Sequence, residues 1–142
     1  MTLNEYISTW ATDSQINPTK MLQESLEVPR LHAKYLAFLS IERKKFRKLQ
    51  QQQVSFKSKL IDYYTGVIDG KDIGKPPHQI TETKASAERK ADVDVDYVKI
   101  NLALIEQEEI VLFLKEVVTS INKRSFDIKN HIDYLKFTNG TS

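Results

Sequence analysis

The stretch Arg30–Tyr64, RLHAKYLAFLSIERKKFRKLQQQQVSFKSKLIDYY, decides the fold. It contains neither glycine nor proline, and apolar or large residues recur at Tyr35, Leu39, Phe46, Leu49, Phe56, Leu60 and Tyr63, with Glu42 and Gln53 filling the gaps. Steps of three and four residues put this set on one side of an α-helix. The spacing predicts one long helix with a single packed seam. At about 100° per residue, Arg30, Lys34, Lys44, Lys48 and Lys59 fall within one arc opposite that seam. The helix is therefore expected to be packed on one side and positive on the other.

Upstream, Thr2-Leu-Asn-Glu5 has the form of a capping box, and Leu3, Ile7 and Trp10 share a helical face, so a short helix is expected to end by about Asp13. Asn17-Pro18-Thr19 reads as a break, because the residue before proline is pushed out of the helical region and Thr19 can cap the next helix. A second short helix is expected from Lys20 to Glu27. Pro29 either opens the long helix at its first turn or kinks a continuous one.

Downstream, Gly66, Gly70, Gly74 and Pro76-Pro77 end the long helix, and the polar run after them has no apolar period. Residues 65–91 are read as a flexible loop within a single helical domain spanning residues 1–142. Val93–Leu104 partly alternates as a strand would. Continuation decides for helix: Val98, Leu102, Ile105, Leu112, Val117, Ile121, Ile128, Ile132 and Leu135 carry a helical stripe, and no second strand candidate exists to pair with it. A second long helix is expected from Val95 to about Phe137, either continuous or broken near Arg124-Ser125. The fold class is all-α: a long antiparallel helical hairpin with short N-terminal helices. Such a hairpin leaves apolar stripes uncovered, so a homo-oligomer is expected.

Composition fits this reading, with 4 Gly, 4 Pro and 28% charged residues in 142. The absence of cysteine excludes disulfides, thiolate metal sites and cysteine nucleophiles. A reducing compartment is expected. No leader-like segment opens the chain and no stretch approaches a membrane span, so a cytoplasmic protein without membrane contact is expected. His32, His78 and His131 lie in separate segments without ligand spacing, and no metal is expected. Asp92-x-Asp94-x-Asp96 begins like a calcium loop but continues with Tyr97 where glycine is needed; these acids read better as favoured by a helix N-terminus. No phosphate-binding glycine loop is present, and Glu106, Glu108 and Glu109 read as a solvated helix face rather than catalytic carboxylates. The chain is therefore read as neither an enzyme nor a holder of any cofactor.

Charge carries the functional signal. The net charge is +2, yet residues 30–60 hold nine basic residues and one acid, Glu42, so that segment carries +8 and the rest of the chain −6. Eight uncompensated charges repel one another without a partner. Nucleic acid is the favoured partner, reached through Arg43, Lys44, Arg47, Lys48, Lys57 and Lys59. An acidic protein bound by a basic coiled-coil adaptor is the alternative. Lys57-Ser-Lys59 lies next to Tyr63 and Tyr64, and lysines on phosphates with a tyrosine under a base suit single strands. One tyrosine, Tyr63, belongs to the seam; Tyr64 is the stacking candidate.

At these residues the sequence resembles the UvsY family of phage recombination mediator proteins. The family has a basic-x-basic pair leading into Leu-Asp-Tyr-Tyr-Ser-Gly; here the residues are Lys57-Ser-Lys59 and Ile61-Asp-Tyr-Tyr-Thr-Gly66. Ile16-Asn-Pro-Thr-Lys20, Asp96-Tyr-Val-Lys-Ile100 and Arg124-Ser-Phe-Asp-Ile-Lys129 also look like family segments, in the family order. The resemblance implies a ring-like homo-oligomer that binds single-stranded DNA. Its implied role is to load a phage recombinase in place of the phage single-stranded-DNA-binding protein, in the host cytoplasm. By carry-over, Lys57 and Lys59 would contact DNA and the C-terminal helix, with Phe126, Ile128, Ile132 and Leu135, would serve assembly. The chain departs from the pattern twice. Its basic pair stands one residue further from Asp-Tyr-Tyr, about 100° round a helix, and Ser125 replaces a family glycine.

Overall fold

The computed structural model describes residues 1–78 and 80–140; Gln79, inside the expected loop, and the last two residues lie outside the described set. Four α-helices and one 3-10 turn make up the order α1 (Leu3–Asp13), α2 (Met21–Tyr64), the turn Lys71–Ile73, α3 (Lys84–Asp92) and α4 (Val95–Thr138). Among the described residues there is no strand. The chain forms two compact units, one of residues 1–43 and 109–142, the other of residues 44–108, with α2 and α4 each contributing a half to both.

Local chemistry sets the helix ends. In α1 the capping box is reciprocal: the Glu5 N–H donates to Thr2 Oγ1 at 3.2 Å and the Thr2 N–H to Glu5 Oε2 at 2.8 Å. Thr19 does not act as anticipated: its hydroxyl and its N–H both donate to Asn17 Oδ1, at 2.7 and 3.0 Å, forming a side-chain turn. The separate helix expected at 20–27 is the opening of α2, which runs through Pro29. Pro29 and Ser25, whose carbonyl loses its helical partner there, are both exposed, so water can satisfy the orphaned oxygen.

α2 closes on Gly66, at φ +82°, with the Gly66 N–H donating to the Tyr63 carbonyl at 3.3 Å and the Val67 N–H to the Asp62 carbonyl at 2.8 Å. These two bonds are a Schellman closure, which needs a residue that tolerates positive φ. The segment expected as a loop contains the 3-10 turn and α3. Thr83 caps α3 by accepting from the Ser86 N–H at 3.3 Å, and its inner face is only Ala87 and Ala91, too small to stand out as apolar period. At α4, Asp94 Oδ1 accepts from the N–H groups of Asp96 and Tyr97 at 3.0 and 3.1 Å, the role expected of that acidic run.

The first unit packs Tyr6, Val28, Tyr35, Leu39, Leu114, Val117, Ile121 and Ile128. Three of its side-chain contacts join α1 to α2: the Tyr6 hydroxyl donates to Glu42 at 2.8 Å, and Asp13 Oδ2 accepts from Tyr35 at 2.8 Å and from Lys34 at 2.7 Å. Burial, and the carboxylate each faces, push both phenols above the ordinary tyrosine range. Burial alone would raise Asp13, but the bonds from Lys34 and Tyr35 win and hold it below the usual carboxylate range.

No break occurs at Arg124-Ser125; α4 is continuous through both. Arg124 is buried, and its guanidinium donates to the carbonyls of Asp13 and Gln15 and to the Glu24 carboxylate, each at 3.1 Å. It anchors the α1–α2 connection instead of marking a helix end.

In the second unit α2 and α4 run antiparallel: Gln53 meets Asn101, and Leu60 clusters with Tyr97, nearer the start of α4. Ala91 completes this cluster, with Phe56, Ile61, Tyr64 and Ile73 against it. The α4 stripe read from sequence is a composite of two faces. Val117, Ile121 and Ile128 are buried, but Val98, Leu102, Ile105 and Leu112 are 39 to 56% exposed. On a helical wheel the centres of the two sets are about 125° apart. A helix this rich in apolar residues offers several faces, and its neighbours choose which one is covered.

Candidate nucleic-acid interface

The basic residues of α2 divide between two sides of its packed seam. Lys44, Lys48 and Lys59 stand on one side, within about 60° of each other, and Arg43, Arg47 and Lys57 on the other. Lys57 and Lys59, two residues apart, point about 160° away from each other round the helix. The expected contact pair therefore cannot act on one phosphate from one face.

The two lysines also differ in state. Lys57 Nζ lies 2.9 Å from Asp92 Oδ1 and 5.8 Å from the centre of the Tyr97 ring, and its side chain is 37% exposed. The hydrogen bond to Asp92 raises its pKa above the ordinary lysine value. Lys59 is exposed and, like Lys44, Lys48, Arg43 and Arg47, makes no ion pair among the described residues. Among the described residues of α2, these five are the cations left without an ion pair and able to neutralise the phosphates of a polyanion.

Tyr63 is buried as the seam requires, and its hydroxyl donates to the Pro76 carbonyl. Tyr64 is covered rather than open: it stacks on Tyr63 at 5.1 Å, meets the edge of His78 at 5.2 Å, and has Lys90 Nζ 5.6 Å from its ring centre. Glu82 holds this cover in place, taking the ends of Lys90, His78 and Ser86 while its N–H donates to the Tyr64 carbonyl. Hydrogen bonds from Lys90 first, and from Ser86, keep the Glu82 carboxyl below its ordinary range. The Asp-Tyr-Tyr motif here clamps the segment leaving α2.

Two of the grooves along α2 border its lysines. One of about 500 Å³ is lined by Lys48, Gln51, Gln52, Ser55, Phe56, Lys59, Asp72, Ile73 and Ile100. The other, of about 440 Å³, takes in Lys57, Lys84 and Tyr97 together with Asp62. Phe56, Gln51, Gln52 and Asp92 did not stand out in the sequence as site residues. The glutamine run gave a visible signal of unusual composition, whereas the Lys57–Asp92 pairing joins residues too far apart in the chain to leave one.

Of the residues assigned to assembly, Phe126 is 69% exposed and Leu135 40%, and Ile132 is half-buried. Ile128 is 1% exposed and belongs to the unit's own core, because it lies on the same face as Ile121 and Arg124. No helix among the described residues is long and apolar enough to cross a membrane, and no group of three or more His, Cys, Asp or Glu among them could hold a metal ion.

A family model described as "Recombination, repair and ssDNA binding protein UvsY" matches residues 9–141. No curated protein matches the sequence. Crystal structures of the bacteriophage T4 recombination mediator protein UvsY share the fold. Its lattice type IV form aligns at TM-score 0.83 with 23% identity, covering 96% of this chain and 99% of the other. Type II gives 0.84 at 23% identity, covering 97% and 98%, and type I gives 0.79 at 24%, covering 96% and 98%.

Proposed function

Because the chain belongs to the UvsY family of recombination, repair and single-stranded-DNA-binding proteins, we propose that it is a recombination mediator. It binds single-stranded DNA along α2, without catalytic chemistry, and loads a phage recombinase in place of the single-stranded-DNA-binding protein. The observation that carries this reading is the set of exposed, unpaired cations on α2: Arg43, Lys44, Arg47, Lys48 and Lys59. Contacts of this kind track phosphates and carry no base code, so binding is insensitive to sequence.

Assembly multiplies weak contacts, since several copies tethered together engage one strand at high effective concentration. The exposed Phe126 and Leu135, with the uncovered α4 stripe of Val98, Leu102 and Ile105, support a homo-oligomer. Salt-titrated fluorescence anisotropy with single- and double-stranded oligonucleotides tests the reading. Single strands are expected to bind more tightly, with log affinity falling linearly in log salt. Absence of single-strand binding at low salt would refute it.

A further inference from the structure

We infer that the groove between Lys48 and Lys59 is a nucleotide subsite, in which one base of a single strand lies against Phe56, Ile73 and Ile100 while the two lysines hold flanking phosphates. This rests on the reading that the chain binds single-stranded DNA, and it specifies where the strand runs.

Three elements build the groove. Phe56 comes from α2, Ile73 from the 3-10 turn and Ile100 from α4, and together they make an apolar wall that no single helix could offer. At about 500 Å³ the space is within the range of small-molecule sites. Phe56 also packs against the Leu60–Ala91–Tyr97 cluster, which orients its ring before any ligand arrives. Stacking on a fixed aromatic favours every base alike. Gln51, Gln52 and Ser55 line the same space, and amides that both donate and accept can satisfy any base edge. Asp72 also lines it, and its carboxylate repels phosphate but accepts from an exocyclic amine. The strand's phosphates therefore lie on the lysine side. Lys48 and Lys59, eleven residues apart, stand about 16 Å from each other along the helix axis, so they flank the groove and do not share one phosphate.

The opposite groove is poorer on each count. Its Lys57 is already neutralised by Asp92, Asp62 adds a second carboxylate, and its Tyr97 is buried. Tyr64 is covered by His78 and Lys90. Of the basic pair, Lys59 is thus the DNA contact and Lys57 a structural residue.

The test compares full-length protein binding to an oligothymidylate and to an abasic strand of equal length and charge. The abasic strand is expected to bind about tenfold more weakly at the same salt slope. Phe56→Leu, which keeps bulk in the core, narrows that gap to about twofold without altering affinity for the abasic strand, and Ile73→Ser does the same should the first variant fold poorly. Lys48→Ala and Lys59→Ala each weaken both strands and reduce the salt slope by about 1, whereas Lys57→Ala changes affinity by less than about twofold. Equal affinity for the two strands, or a larger loss from Lys57→Ala than from Lys59→Ala, overturns the subsite but leaves single-strand binding standing. If neither strand binds, the subsite and the broader reading fall together.

Discussion

Asp94 shows how much one side chain carries. It caps α4 through two backbone N–H groups and pairs with Lys75 at 2.6 Å, with only 4% of its side chain exposed. Burial would raise its pKa, but the hydrogen bond from Lys75 and those from Tyr97 and Asp96 hold it below the ordinary carboxylate range. Asp94→Ala removes the cap and leaves Lys75 without its anion, and should cost about 1–2 kcal/mol in urea denaturation. Asp13 is lowered as well. With folded pKa values below the unfolded ones, these groups stabilise the fold above about pH 4, the unfolded carboxylate value, and lose that contribution as pH falls through the folded values. The urea midpoint should accordingly drop on acidification below about pH 4, and Asp94→Asn should flatten part of the drop. A midpoint insensitive to acid would contradict the ion pairing described. Arg124 is the other such residue: Arg124→Ala leaves two carbonyls and Glu24 Oε2 without their donor and should cost about 3 kcal/mol, with Arg124→Lys recovering only part because one ammonium nitrogen cannot span acceptors that two guanidinium nitrogens reach.

At the scale of the elements, the close of α2 and both ends of α4 were legible in the sequence, the opening of α2 and the helix interiors less so. Gly66 announces the end of α2, and the structure gives the reason, a positive φ in a Schellman closure. Gly66→Ala would strain that turn and bring a Cβ to 3.2 Å from Thr81 Oγ1, so thermal unfolding should show a loss of about 1–2 kcal/mol. A neutral outcome would mean that the turn relaxes to another closure. α3 escaped sequence reading because its buried face is two alanines, and periodicity is detected only where side chains are large. Continuity of α4 past Ser125 was not legible either, because Arg124 is buried with partners supplied by α1, α2 and their connection, all distant from it in sequence.

For the whole molecule, the uncovered stripe of α4 matters most. Val98, Leu102 and Ile105 are exposed at helical spacing, and burying such a stripe contributes about 25 cal/mol per Å² of apolar area. If the chain assembles as proposed, Leu102→Lys with Ile105→Lys should leave the helical content by circular dichroism unchanged and lower the mass measured by light scattering. An unchanged mass would place the assembly contacts elsewhere, with Phe126 and Leu135 the next candidates. What the sequence alone determined was the all-helical fold, the end of α2 and the reach of α4, the concentration of positive charge on α2, and the family, because periodicity, capping and glycine act within a few residues of themselves. The tertiary structure alone decided which face of α4 is buried, that Ile128 points inward, that Asp92 occupies Lys57, and that Tyr64 lies under His78 and Lys90. Each of those outcomes depends on a residue distant in sequence, and only packing brings the two together.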